Sequence, residues 1–408
     1  MTSESRPLLL SGGLVFDSET RTFSGPLDVL CEGGRITKIA VGIDVPGAES
    51  LDCAGLFVLP GLIDCHVHLT SSGEGNELNT AASDPTAVRA WRAAGYARTT
   101  LHSGVTTVRD LGAAERLNID LAKAIDDGLV EGPRMLAAGL GVTMTGGHGH
   151  GFIAREADGP DEVRKAVREQ LRAGATAIKL FASGGVLTAG VDPRSPSFTE
   201  DELRAGVEEG HKAFRVVGAH AQSNEGIKNA IRAGVDSIEH GVWLDEEAVA
   251  LMIEQGTYLV ATLSAPYHIA LGGLAAGLPA YAVDKAHQVL DDHRASFQLA
   301  MRSGVRLAMG TDEGTPLNRP GQNAQEIVRM VELGLSPGAA LMAATGWAAD
   351  LLRIAADRGR IATGLAADLL IVSNDPLNDI ACLTRGEDRV AVIKGGSVVT
   401  TRIQGAQA

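Results

Sequence analysis

The chain has 408 residues, with 36 basic and 50 acidic side chains and a formal net charge of −14. Hydrophobic residues make up 45% and charged residues 21%, which excludes a disordered chain. The acidity argues against nucleic acid as a partner, because phosphate binding needs a basic face.

No apolar run approaches the roughly 18 residues needed to span a membrane. The opening MTSESRPLLLSGG has neither the basic nor the long apolar stretch of a secretion leader. The cysteines Cys31, Cys53, Cys65 and Cys382 are widely spaced, with no CxxC pair. That pattern fits a reducing, cytoplasmic setting and neither a disulfide framework nor a thiolate zinc site.

The first 60 residues read as short strands between turns. LLLSGGLVFD is one strand, LDVLCEGGRITKIAV a hairpin turning at Gly33-Gly34, and ESLDCAGLFVLPG a further pair. From residue 61 apolar, strand-like runs alternate with amphipathic helical patterns. The runs are LIDCHVHL, GVTTVRDLG, RMLAAGL, AIKLFASGG, RVVGAHA, SIEHG, YLVATLS and RLAMGTD. Eight β/α units over this length predict a TIM barrel. A doubly wound open sheet is the alternative, but no GxGxxG turn follows the first strand. After residue 358 strands return, with a second Gly-Gly hairpin at Gly395-Gly396. The expected fold class is therefore α/β. A (β/α)8 barrel over 61–357 carries a small, sandwich-like β-domain made from 1–60 and 358–408.

Polar residues recur at the carboxyl ends of the barrel strands, where such barrels build their active sites. Alternation puts His66 and His68 on one face of strand 1, so both can hold one cation; two ordinary strand histidines are the plainer reading. Lys179, in AIKLF, faces the interior at a cost unless it is ion-paired or modified. His220, His240 and Asp312 end strands 5, 6 and 8. Singly each reads as structural; together they read as a metal site. Cys65 lies between ligand positions and belongs to the core. His102, His211, His287 and His293 lie on helical patterns and read as ordinary.

With these motifs in this order, together with the closing GLAADLLIVSNDPL, the chain resembles the amidohydrolase superfamily over nearly its whole length. The resemblance implies two divalent ions, zinc first among the candidates. His66 and His68 would bind the more buried ion, and His220 and His240 the second. Lys179, carbamylated, would bridge them, and Asp312 would complete the site and act as the base. Carbamate, carboxylate and hydroxide leave about one positive charge on two dications, which suits a developing oxyanion. Deaminases of the superfamily commonly carry a Glu three residues after the strand 5 histidine. Here that residue is Ser223, which points to a hydrolase.

TTVRDLG, TGGHGH, KLFASGGV, AGVDSIEHG and NAQEIVRMVELGLSP resemble the Xaa-Pro dipeptidase-like and arginine/lysine carboxypeptidase-like subgroup. That resemblance implies hydrolysis of an amide bond in a dipeptide or an N-acyl amino acid. Cleavage of another small amide, carbamate, phenylurea, lactone or phosphotriester is the alternative; a deaminase, a cyclic-amide hydrolase and a ligand-free scaffold stand behind it. It also implies that His148, on the Gly-rich loop after strand 3, contacts substrate or oxyanion, with His150 beside it. Gln222 departs from the aromatic or His common at its position and marks an altered substrate pocket. Arg109 either grips a substrate carboxylate or pairs with Asp110. The segment SAPYHIALGGLAAGLPAYAVDK, from Ser264 to Lys285, is either a lid with Tyr267 and His268 over the site or a surface helix hairpin. The expected partner is a small molecule, with no nucleic acid or membrane, and the expected assembly is a homo-oligomer.

Overall fold

The computed structural model describes residues 6–75 and 84–403. The opening residues, on which the expectation about a leader rests, lie partly outside this range. Five strands come first: β1 (Leu8–Asp17), β2 (Thr22–Glu32), β3 (Arg35–Ala40), β4 (Glu49–Asp52) and β5 (Phe57–Pro60). The barrel strands follow: β6 (Leu62–Val67), β7 (Val105–Asp110), β8 (Arg134–Ala137), β9 (Gly141–Thr143), β10 (Ala154–Glu156), β11 (Ala177–Phe181), β12 (Val216–Ala221), β13 (Ser237–His240) and β14 (Tyr258–Val260). The chain closes with β15 (Leu369–Val372), β16 (Arg389–Lys394) and β17 (Ser397–Thr401).

Two compact units emerge. The first comprises residues up to 63, 99–107 and 321 onward; the second comprises 64–98 and 108–320. This division by compactness groups residues 321–357 with the terminal sheet, beyond the boundary expected from strand texture alone.

In the first unit one eight-stranded sheet runs β17-β16-β15-β5-β1-β2-β3, with β4 paired to β1. Both chain ends supply strands because β15 pairs antiparallel with β5, Leu370 opposite Leu59. The sheet curls, so that Ile36 near one edge and Ile393 near the other share one buried cluster with Leu10, Val58 and Ile371. This is how a single sheet yields the sandwich-like packing.

In the second unit the strands are parallel, and β11, β12 and β13 are buried along their whole length, as expected for strands covered on both faces. The third predicted strand, RMLAAGL, ends early, at Ala137. Gly139, in left-handed backbone at φ 73°, follows β8, and β9 forms within the stretch expected as the Gly-rich loop. The eighth predicted strand is too irregular to form a ladder, but it closes the barrel. Leu259 N donates to Arg306 O at 2.8 Å on one side, and on the other Cys65 N donates to Met309 O at 2.8 Å. Gly310 permits that closure, because a Cβ there would lie 2.8 Å from the His66 Cβ.

Helices separate the strands as the sequence pattern predicts. The helix Glu200–Lys212 shows why one starts where it does. Thr199 accepts from Glu202 N, and the Glu202 carboxylate accepts from Thr199 N, closing a capping box. No helix among the described residues is long and apolar enough to cross a membrane.

Candidate metal centre and active site

His66 and His68 stand on the same side of β6, and their rings are 5.4 Å apart. His240 ends β13 and stacks between its neighbours, 5.3 Å from the His66 ring and 4.5 Å from that of His220 on β12. Asp312 follows the eighth strand. Its Oδ1 lies 3.3 Å from His66 Nε2 and 3.1 Å from His68 Nε2. Lys179 Nζ, from β11, lies 3.5 Å from His66 Nε2. The ligand atoms of His66, His240 and Asp312 all fall within 4.8 Å of one another. Strand period and barrel closure thus bring six side chains from five strands to one point.

Each imidazole is held from behind. His66 Nδ1 donates to Glu239 Oε2 at 2.9 Å, and His68 Nδ1 donates to Gly112 O at 2.8 Å. His240 Nδ1 donates to Thr262 Oγ1 at 2.6 Å, whose own hydroxyl donates to Ala261 O. His220 is held the other way round, by Nε2 donating to Gly184 O at 2.8 Å. In every ring one nitrogen is fixed by a protein acceptor, the arrangement that orients imidazoles for a cation. This donor set of four imidazoles, one carboxylate and one amine fits a divalent metal. His240, Thr262 and Asp312 also adopt left-handed backbone, with φ of 72°, 54° and 59°. Such strain in non-glycine residues concentrates at functional sites.

The electrostatics follow from enclosure. Burial drives the imidazoles of His66, His220 and His240 well below the ordinary range, which keeps them neutral. Burial also lowers Lys179, to about 8, since a buried ammonium is disfavoured. Burial opposes ionisation of Asp312, but His66 and His68 outweigh it and hold the carboxyl at about 2. For His68 burial is likewise outweighed, by the hydrogen bond to Asp312, and its pKa rises.

These groups open into one cavity of about 370 Å³, the size of a small-molecule site. His148, His150 and Gln222 line it with the six. Burial lowers the His148 imidazole to about 3, and its ring packs 4.6 Å from that of His220. The Gln222 backbone N–H donates to Ser183 Oγ, but its side-chain Oε1 is buried without a partner. Apolar walls come from Phe152, Phe181, Val186, Leu187 and Ile269. The segment after β14 forms a helix, Ser264–Gly272, that presents Pro266 and Ile269 to the cavity; Tyr267 and His268 are absent from the lining.

Arg109 corrects an expectation. It does not reach the cavity, nor does it pair with Asp110. The guanidinium is fully buried inside the barrel. It donates to Cys65 O at 2.6 Å, Ser237 Oγ at 3.1 Å and Glu239 Oε1 at 2.8 Å. With its three nitrogens so engaged, it cannot grip a substrate carboxylate. Asp110 instead accepts from Leu69 N, Gly112 N and Asn118 Nδ2.

Other residues were not singled out from the sequence. Glu239 is one, because a residue adjacent to a ligand on a strand ordinarily faces away from it. His293 is another. It lines the cavity, donates to Ala261 O at 2.8 Å, and burial lowers its imidazole to about 4. Its helical context gave no sign of that.

Comparison with known proteins gives the family. The amidohydrolase family matches residues 57–399. The chain belongs to the amidohydrolase family. It is a hydrolase acting on carbon–nitrogen bonds, in a family that generally uses metal ions. An ochratoxinase from Aspergillus niger is 34% identical over 370 residues, covering 84% of this chain and 75% of the relative. The crystal structure of a Xaa-Pro dipeptidase with bound methionine superposes with a TM-score of 0.88 at 35% identity, covering 96% of this chain and 99% of that one. A prolidase complexed with N-methylphosphonate-L-proline superposes with a TM-score of 0.91 at 35% identity, covering 97% and 100%.

Proposed function

We propose that this amidohydrolase is a binuclear metal enzyme that cleaves the amide bond of a dipeptide or an N-acyl amino acid. The observation that carries the reading is the convergence of His66, His68, Lys179, His220, His240 and Asp312 on one point, with every imidazole tied from behind. His66 and His68 would hold one ion and His220 and His240 the other. Carbamylated Lys179 would lie between them, with Asp312 completing the set. Zinc suits four imidazoles and two carboxylate-type ligands. When bound, such ions polarise a carbonyl and lower the pKa of a water to about 7.

The protein's own groups do the rest. Asp312, ionised at neutral pH, accepts the proton of the attacking water and returns it to the departing nitrogen. His148, held neutral, stands at the cavity wall where a hydrogen bond reaches the substrate carbonyl or the oxyanion. The apolar walls receive the substrate side chain, with His150 and Gln222 left for the polar end. The relatives support the substrate class: one is a Xaa-Pro dipeptidase, and an ochratoxinase lies at similar identity.

A second reading rests on a specific observation. Arg109 is withdrawn, so no guanidinium among the described residues lines the cavity. That favours a neutral small amide, carbamate or phenylurea over an anion. Screening zinc-loaded protein against dipeptides and N-acyl amino acids tests the first reading. The deciding comparison is kcat/KM for the best N-acyl amino acid against its C-terminal amide. Carboxylate recognition should favour the acid by roughly 10- to 150-fold. Equal rates would reject it and leave the neutral substrates.

A further inference from the structure

Residues 182–199, between β11 and the helix Glu200–Lys212, form a long connection whose base is tied by Gly184 N to Ser195 O and Ser197 N to Ala182 O. Its crest, Val186 to Ala189, forms one wall of the cavity. The crest has little backbone bonding of its own. It is held from the helix Ala280–Ser303, which follows β14. Lys285 Nζ donates to Thr188 O at 2.8 Å, Val191 O at 2.6 Å and Gly185 O at 3.3 Å. Among the described residues no backbone N–H donates to any of these carbonyls. One turn earlier Tyr281 Oη donates to Leu187 O at 3.1 Å.

An ammonium has three N–H donors, and here each meets a carbonyl. This lysine is therefore not a solvated surface charge. It closes a gap in the backbone bonding of a loop that faces the reaction. The tie continues inward, because Thr188 Oγ1 lies 2.7 Å from His148 Nδ1 and accepts from Gly149 N at 3.2 Å. The strand 3 and strand 4 loops are thus joined at Thr188, and Thr188 is held by Lys285.

We propose that Lys285 is a positioning residue for substrate binding: its ammonium clamps the crest of the 182–199 connection and, through Thr188, fixes His148. The inference rests on the proposed function only for what is bound; the clamp itself is geometric. It makes Lys285 a determinant of KM and of side-chain preference, with no part in metal loading.

The test uses the full, metal-loaded chain and the variants Lys285→Ala and Lys285→Met. Hydrogen–deuterium exchange should speed up in peptides covering residues 183–195 in both variants, while metal content stays at the wild-type level. With the best amide from the screen, KM should rise about tenfold or more, the scale of losing hydrogen bonds to a charged group. Methylammonium chloride should restore both protection and KM in Lys285→Ala, where it can enter the vacated space. It should not do so in Lys285→Met, where the side chain fills that space, and sodium chloride should restore neither. Unchanged exchange would overturn the clamp. Faster exchange with unchanged KM would overturn the positioning role, and so would rescue by sodium equal to that by methylammonium. If the wild type turns over no amide, the proposed function fails, and the exchange and its rescue still decide the clamp.

Discussion

Glu239 and His66 share a hydrogen bond of 2.9 Å in the barrel interior, and the other oxygen of Glu239 takes Arg109 at 2.8 Å. All three side chains are shut off from solvent. The first imidazole of the HxH pair is therefore oriented by a carboxylate that is itself neutralised by a guanidinium. Glu239→Gln should weaken metal affinity by about 10- to 100-fold, the usual cost of losing a group behind a ligand. Competition with a chelator measures it. Arg109→Met should instead destabilise the fold by about 3–5 kcal/mol, since it leaves the buried Glu239 carboxylate without its counter-charge. Guanidinium unfolding checks this. Unaltered stability, with a selective rise in KM for anionic substrates, would restore Arg109 to the substrate site.

Lys179 gives a dependence on pH. Carbamylation consumes the neutral amine: nitrogen bonds to the carbon of CO2 and one proton leaves. Burial brings the pKa to about 8, so neutral amine is scarce at pH 7 and reaches half at pH 8. At a fixed concentration of dissolved CO2, reconstitution of metal-free protein with zinc should accelerate about fivefold over that interval. Lysine with an ordinary pKa would be far slower and would gain tenfold. Native mass spectrometry should show one added CO2 and two metals per chain, and Lys179→Ala should lose both.

Asp312→Asn should keep the fold and most of the metal and lose at least about 10²-fold in kcat, the scale of acid–base catalysis. Amide in place of carboxylate removes the proton acceptor while conserving shape. Activity within a few-fold of wild type would take Asp312 out of proton transfer.

Gln222 carries an unpaired buried oxygen, a condition that costs about 1–3 kcal/mol. Gln222→Leu should therefore raise the melting midpoint and lower kcat/KM. A stabilised variant with undiminished kcat/KM would show that substrate never engages the carboxamide.

The reading of the chain from sequence succeeded where local pattern carries the information. Alternation put His66 and His68 together, and the eight strand runs placed Lys179, His220, His240 and Asp312 at one end of a barrel. It failed where partners are set by closure in three dimensions. Arg109 sits beside Asp110 in sequence, yet its partner Glu239 is 130 positions away, across the interior. Lys285 ends a segment that reads equally as a lid or a surface helix hairpin, and the carbonyls it meets have no side-chain identity to read. The early end of strand 3 depends on the backbone sign at Gly139, and any loop glycine would look the same.

The pairing of β15 with β5 has a consequence for synthesis. Leu59 leaves the ribosome some 310 residues before its partner Leu370. Until then one edge of β5 is unpaired, and the sheet that includes β1 to β5 lacks three of its eight strands. Such long-range pairing is slow, and an open edge invites association with other chains. The terminal sheet therefore cannot mature vectorially, and stalled or truncated products lacking β15 should be the species that aggregate or recruit chaperones.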